Sequence, residues 1–80
     1  MTLSTTPVRV ATGHDEEGCL VFVDDRLLAV LVRLSEEHED AAGRWFLEAA
    51  FGVLDRHEHP IFADFDAGLA WIASRVRRAA

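Results

Sequence analysis

The chain reads as an α+β domain: a three-stranded antiparallel β-meander with one C-terminal helix packed on one face of the sheet. Three observations predict it. The run Leu27-Leu28-Ala29-Val30-Leu31-Val32-Arg33-Leu34 holds one charge in eight residues, which is strand length and too short for a free-standing helix. The segment from Arg44 to Phe51 alternates, with Trp45, Leu47, Ala49 and Phe51 on one side and Arg44, Phe46, Glu48 and Ala50 on the other. Finally, Phe62, Phe65, Leu69, Ile72 and Val76 recur at helical spacing and form one stripe.

Residues 1–13 begin Ser/Thr-rich and are broken by Pro7, so a flexible N-terminal segment is expected there. Val8-Arg9-Val10 offers a short edge strand as the alternative. Residues 14–80 then make a single β-β-β-α domain. Its first strand is Cys19-Leu20-Val21-Phe22-Val23, β-branched and aromatic. Cys19 is expected to be a packing residue among apolar neighbours, not a reactive thiol. Asp24-Asp25 makes the turn, since Asp tolerates the left-handed conformation. A two-residue turn pairs Val21 with Leu28 and a three-residue turn pairs Phe22 with Leu28; a slip of one residue flips the whole strand.

The central strand, 27–34, is apolar on both alternating faces, which requires cover on each. Ser35 to Gly43 is an acidic loop with at most one helical turn. Matching apolar sides pairs Val32 with Leu47 and Val30 with Ala49, and puts Arg33 diagonal to Glu48 for a weak salt bridge. The helix is expected near 64–77, with Asp64 as N-cap, Asp66 in the first turn, and Arg75, Arg77 and Arg78 at the end where cations complement the dipole.

One helix covers one face. The second would carry Leu27, Ala29, Leu31, Phe46 and Ala50, with Arg33, Arg44 and Glu48 as its charges. Left bare, that apolar patch exceeds what monomers usually tolerate. It is therefore expected to be a protein interface, formed with a second copy or another protein, unless residues 1–13 fold back over it with Leu3, Val8 and Val10. Trp71 sits off the helical stripe among Ala67, Gly68 and Ala70, with Arg75 placed to stack on its ring. That pair either joins the interface or lies at the sheet edge under the loop from Val53 to Pro60.

Composition narrows the partners. Eighty residues, half of them apolar and 28% charged, make one globular domain. At this size a single core is marginal, so a second chain over one face would add to stability. Net charge is −6, which disfavours nucleic acid and anionic membranes, because phosphate binding runs on Lys and Arg contacts. No apolar run approaches the roughly 18 residues of a membrane span. Nor is there a basic segment followed by an apolar one at the start, and the single cysteine fits a reducing compartment, so a cytoplasmic location is expected. Twelve alanines with no Lys, Asn, Gln or Tyr suit a GC-rich bacterial genome.

The four histidines are the candidates for chemistry. The meander brings His57-Glu58-His59 to the same end as Asp24 and Asp25, a set with the donor types for Zn²⁺. His14 and His38 emerge together at the opposite end, each beside carboxylates. Ser4, Ser35 and Ser74 lack any motif that places a base beside them, and no glycine-rich phosphate loop is present. No cofactor is implied. The expectation is a small, acidic, non-enzymatic interaction module that forms a homodimer; the alternative is a divalent-metal or small-ligand protein using the His57/His59 end.

Overall fold

A computed structural model describes residues 2–55 and 58–79. Five strands follow one another as β1 (Leu3–Arg9), β2 (Glu17–Val23), β3 (Arg26–Arg33), β4 (Trp45–Ala50) and β5 (Ile61–Phe62). They pair in chain order and all antiparallel, so the α+β class and the meander hold. Short 3₁₀ turns at Glu36–Ala41 and Gly52–Leu54 punctuate the second half. The helix α1 spans Phe65–Ala79, and the Asp64 carboxylate accepts the Ala67 N–H at 2.7 Å as its N-cap.

The sheet has five strands where three are expected from the sequence. β1 is an edge strand, the alternative offered for Val8-Arg9-Val10, but it runs over Leu3–Arg9; exposed over most of its length, it shows no alternation of apolar and polar residues that would give its extent. Pro7 is admissible there, since an edge strand needs only one neighbour to hydrogen-bond with. Its first turn is tied down by Thr2, whose N–H donates to the Asp24 carboxylate and whose carbonyl accepts the Asp24 N–H. β5 is only two residues long, too short to leave a pattern in the sequence.

Two bulges decide which side of the sheet is the core. The Asp24-Asp25 turn is a two-residue one, pairing Val23 with Arg26 and Phe22 with Leu27, and Asp24 takes a φ of 54°. Val21 then pairs with Ala29, leaving Leu28 as the extra residue of a bulge. Next to the turn the pairing is that of the two-residue alternative, and beyond the bulge it is the register of the three-residue one, so the alternation of β3 reverses at that point. A second irregularity, at Glu48, keeps the expected Val30–Ala49 pair but sets Leu31, not Val32, opposite Leu47.

As a result α1 lies over Val21, Ala29, Leu31 and Leu47, all fully buried, joined by Leu28, Leu54, Phe62, Ile72 and Val76. At Gly68 the helix packs closely on the core. A Cβ there would stand 3.1 Å from the Phe62 ring and 3.4 Å from Leu31 Cδ1, so the absence of a side chain sets the spacing. Cys19 is buried, as expected, on this same side. Phe51 is not under the helix but 46% exposed beyond the end of β4. Arg33 reaches Glu17 at 3.9 Å instead of Glu48.

Candidate functional site

The sheet face turned away from α1 is built by the residues that alternate with the core: Leu20 and Phe22 on β2, Leu27 and Val30 on β3, Phe46 and Ala49 on β4. Ile61 extends it on β5, opposite Phe46. At one end this face is closed. Val10 runs past β1 and lies over Gly18, where a Cβ would come within 2.7 Å of its Cγ2; Val32, the cross-strand partner of Gly18, is fully buried. Elsewhere the face is open. Leu27 is 38% exposed and Ile61 51%, and Leu20, Phe22, Val30, Phe46 and Ala49 are only partly buried. The N-terminal segment covers only that end, through Val8 and Val10, because β1 extends the sheet sideways.

This placement corrects the expected interface set. Ala29 and Leu31 have no exposure at all and are core beneath α1, and Ala50 packs against the same core. The physical cause is the Leu28 bulge, which turns Ala29 and Leu31 inward. Leu27, before the bulge, and Phe46 remain on the open face. Glu48 is exposed at the β4 bulge, and Arg33 lies on the helix side of the sheet. Trp71 is half-buried over Phe62, with ring centroids 5.6 Å apart, and the Arg75 guanidinium stacks 4.6 Å above its ring while reaching Glu58 at 3.5 Å. The stacking expected of that pair is present, and it belongs to the joint between α1 and the 58–62 segment.

Of the expected metal set, three members can be placed. Among the described residues, Asp24, Asp25 and His59 form no group whose donor atoms share a common point. Asp24 is occupied with Thr2, and the His59 Nδ1 donates to the Leu47 carbonyl at 3.0 Å while its ring leans on Phe46. His57 lies outside the described residues.

A different cluster forms at the opposite end, where the β1–β2 and β3–β4 connections meet. Asp15 is buried to 8% exposure. Its Oδ1 accepts the Ser35 backbone N–H at 2.7 Å, and its Oδ2 accepts from His38 Nε2, also at 2.7 Å. His14 Nε2 stands 3.6 Å from the same Oδ2, and His14 Nδ1 is 3.7 Å from Glu37. Burial pushes the Asp15 carboxyl up, but the Ser35 N–H and the His38 imidazole outweigh it and hold the group below its ordinary value. Asp15 thus ties two connections that lie twenty residues apart in sequence. The topology foretells the meeting of His14 with His38; the role of Asp15 as its buried centre leaves no mark in a sequence of many acids.

No helix among the described residues is long and apolar enough to cross a membrane. Comparison with family models, with curated proteins and with solved structures returns no match.

Proposed function

We propose that this chain is a non-enzymatic interaction module that pairs with a second copy of itself through the sheet face α1 leaves open. The observation that carries the reading is the apolar row Leu20, Phe22, Leu27, Val30, Phe46 and Ile61 on that face, with Leu27 and Ile61 well exposed. The molecule measures 38 × 21 × 20 Å, so its broad side projects roughly 800 Å², about what one partner contributes to an interface of standard size.

Both edges of the sheet argue for stacking by faces over strand addition. β1 carries Pro7, which cannot donate to an added strand, and β5 is two residues long. Burying roughly 600 Å² of apolar surface at about 25 cal/mol per Å² gives a gross gain near 15 kcal/mol per subunit. Loss of rigid-body freedom and side-chain ordering removes much of it, which leaves micromolar association within reach.

Sedimentation equilibrium tests the reading on the parent and on Leu27→Glu, a charge placed at an exposed position of the face. The parent is expected to dimerise and the variant to remain a folded monomer. A parent that stays monomeric at several hundred micromolar overturns it.

A further inference from the structure

We propose that His14, Asp15 and His38 form a site for a divalent transition-metal ion of the zinc type, with one coordination position left for water or an outside ligand. Each of the three offers a donor atom, and the three donors lie within 4.8 Å of one another. Two imidazoles and a carboxylate are a donor set that Zn²⁺ takes, and three protein ligands with an open fourth position is the arrangement of zinc sites that handle exchangeable ligands.

Two of the three donor separations lie close to those around a tetrahedral ion. With metal–ligand bonds near 2.0–2.1 Å, neighbouring donors stand about 3.3 Å apart. The Asp15 Oδ2 is 2.7 Å from His38 Nε2 and 3.6 Å from His14 Nε2. The first contact has to open by about 0.6 Å and the second to close by about 0.3 Å. His14 sits on an exposed bend and His38 on a short 3₁₀ turn, positions from which both rings can turn toward Asp15 Oδ2. An ion between them replaces the proton that His38 Nε2 shares with Asp15, and that ring then carries its proton on Nδ1.

Support around the ligands is what separates this cluster from two chance histidines near an acid. Ligands in metal sites are oriented by partners one step further out. Here the Asp15 Oδ1 is held by the Ser35 N–H, which leaves Oδ2 turned toward both imidazoles. On the far side of His14, Glu37 stands 3.7 Å from Nδ1, placed to receive its N–H when Nε2 is on the metal. Asp15 and His38 also line a cavity of about 230 Å³ that reaches Phe46 and Ile61, which gives the fourth position room. The same set fixes the class of ion: with no thiolate and only one carboxylate, it favours zinc over calcium or magnesium, which take oxygen-rich shells.

The test is Zn²⁺ titration of the full chain against a chromophoric chelator, with Co²⁺ as a visible-absorption probe of geometry. The expected result is one ion per chain, a tetrahedral Co²⁺ spectrum, and at least about a tenfold loss of affinity in His14→Ala. His14 is exposed, so that variant keeps the Asp15–His38 bond and the fold, as far-ultraviolet circular dichroism would verify. His59→Ala is expected to bind like the parent. No uptake at micromolar Zn²⁺, or uptake that His14→Ala leaves unchanged, overturns the assignment.

Discussion

The two faces of this sheet are drawn from the same strands and are almost equally apolar, yet one is sealed and the other open. Leu31 on β3 meets Leu47, Gly68 and Phe62 beneath α1 and has no exposure. Leu27, four residues earlier on the same strand, is 38% exposed on the far side. Regular alternation would put residues 27 and 31 on one face. The Leu28 bulge separates them, so a single extra residue determines which leucines lie in the core and which are left exposed. When a strand is greasy on both sides, the identity of its residues does not say which side is inside.

The comparison can be broken by substitution, beginning with the core side. Leu31→Ala removes a fully buried side chain whose neighbours are fixed by β4 and α1, and is expected to cost about 2–5 kcal/mol of unfolding free energy. A urea melt at low protein concentration measures it. A loss below 1 kcal/mol would mean that α1 does not seal this face.

Gly68→Val comes next. Even the first added carbon would stand 3.1 Å from the Phe62 ring, so the ring or the helix must give way to the valine methyls. A loss of about 1–3 kcal/mol is expected from overpacking, read from the same melt.

Asp15 probes the end where the far face closes. Its carboxyl is held below its ordinary value near 3.8 in the folded protein. The folded state therefore favours the ionised form. Its contribution to stability is complete above the ordinary value and fades as pH falls through the lower folded value. Urea midpoints of the parent and Asp15→Asn between pH 6 and pH 2.5 should converge as the solution becomes acidic. Midpoints that stay equally far apart would remove the charge from the explanation.

The smallest effect on monomer stability belongs to Leu27→Glu, expected to be under about 0.5 kcal/mol because the residue is exposed. Its consequence is reserved for association. Loss of stability without loss of association would reverse the roles assigned to the two faces.

Much of the architecture was legible in the chain itself. The strands at 19–23, 27–34 and 44–51 and the helix near 64–77 lie within two or three residues of β2, β3, β4 and α1. Apolar periodicity and an Asp at the helix start are local signals, and these elements are long enough to carry them. β1 was legible only as an edge-strand alternative at Val8-Arg9-Val10 and β5 not at all, since an exposed edge strand and a two-residue strand have little pattern to read.

What the sequence alone determined, then, is a meander closed by one helix, the apolarity of β3 on both sides, and the meeting of His14 with His38 at one end of the sheet. The tertiary structure decided the side. The bulges at Leu28 and Glu48 place Leu28, Leu31 and Leu47 under a helix packed closely at Gly68, an arrangement among apolar residues of similar transfer energy. It likewise singled out Asp15 among fourteen acids, because only the folded chain brings the Ser35 amide and the His38 ring to one carboxylate and removes it from water. Periodicity reports burial along an element; it does not report which neighbour from a distant part of the chain arrives to cause it.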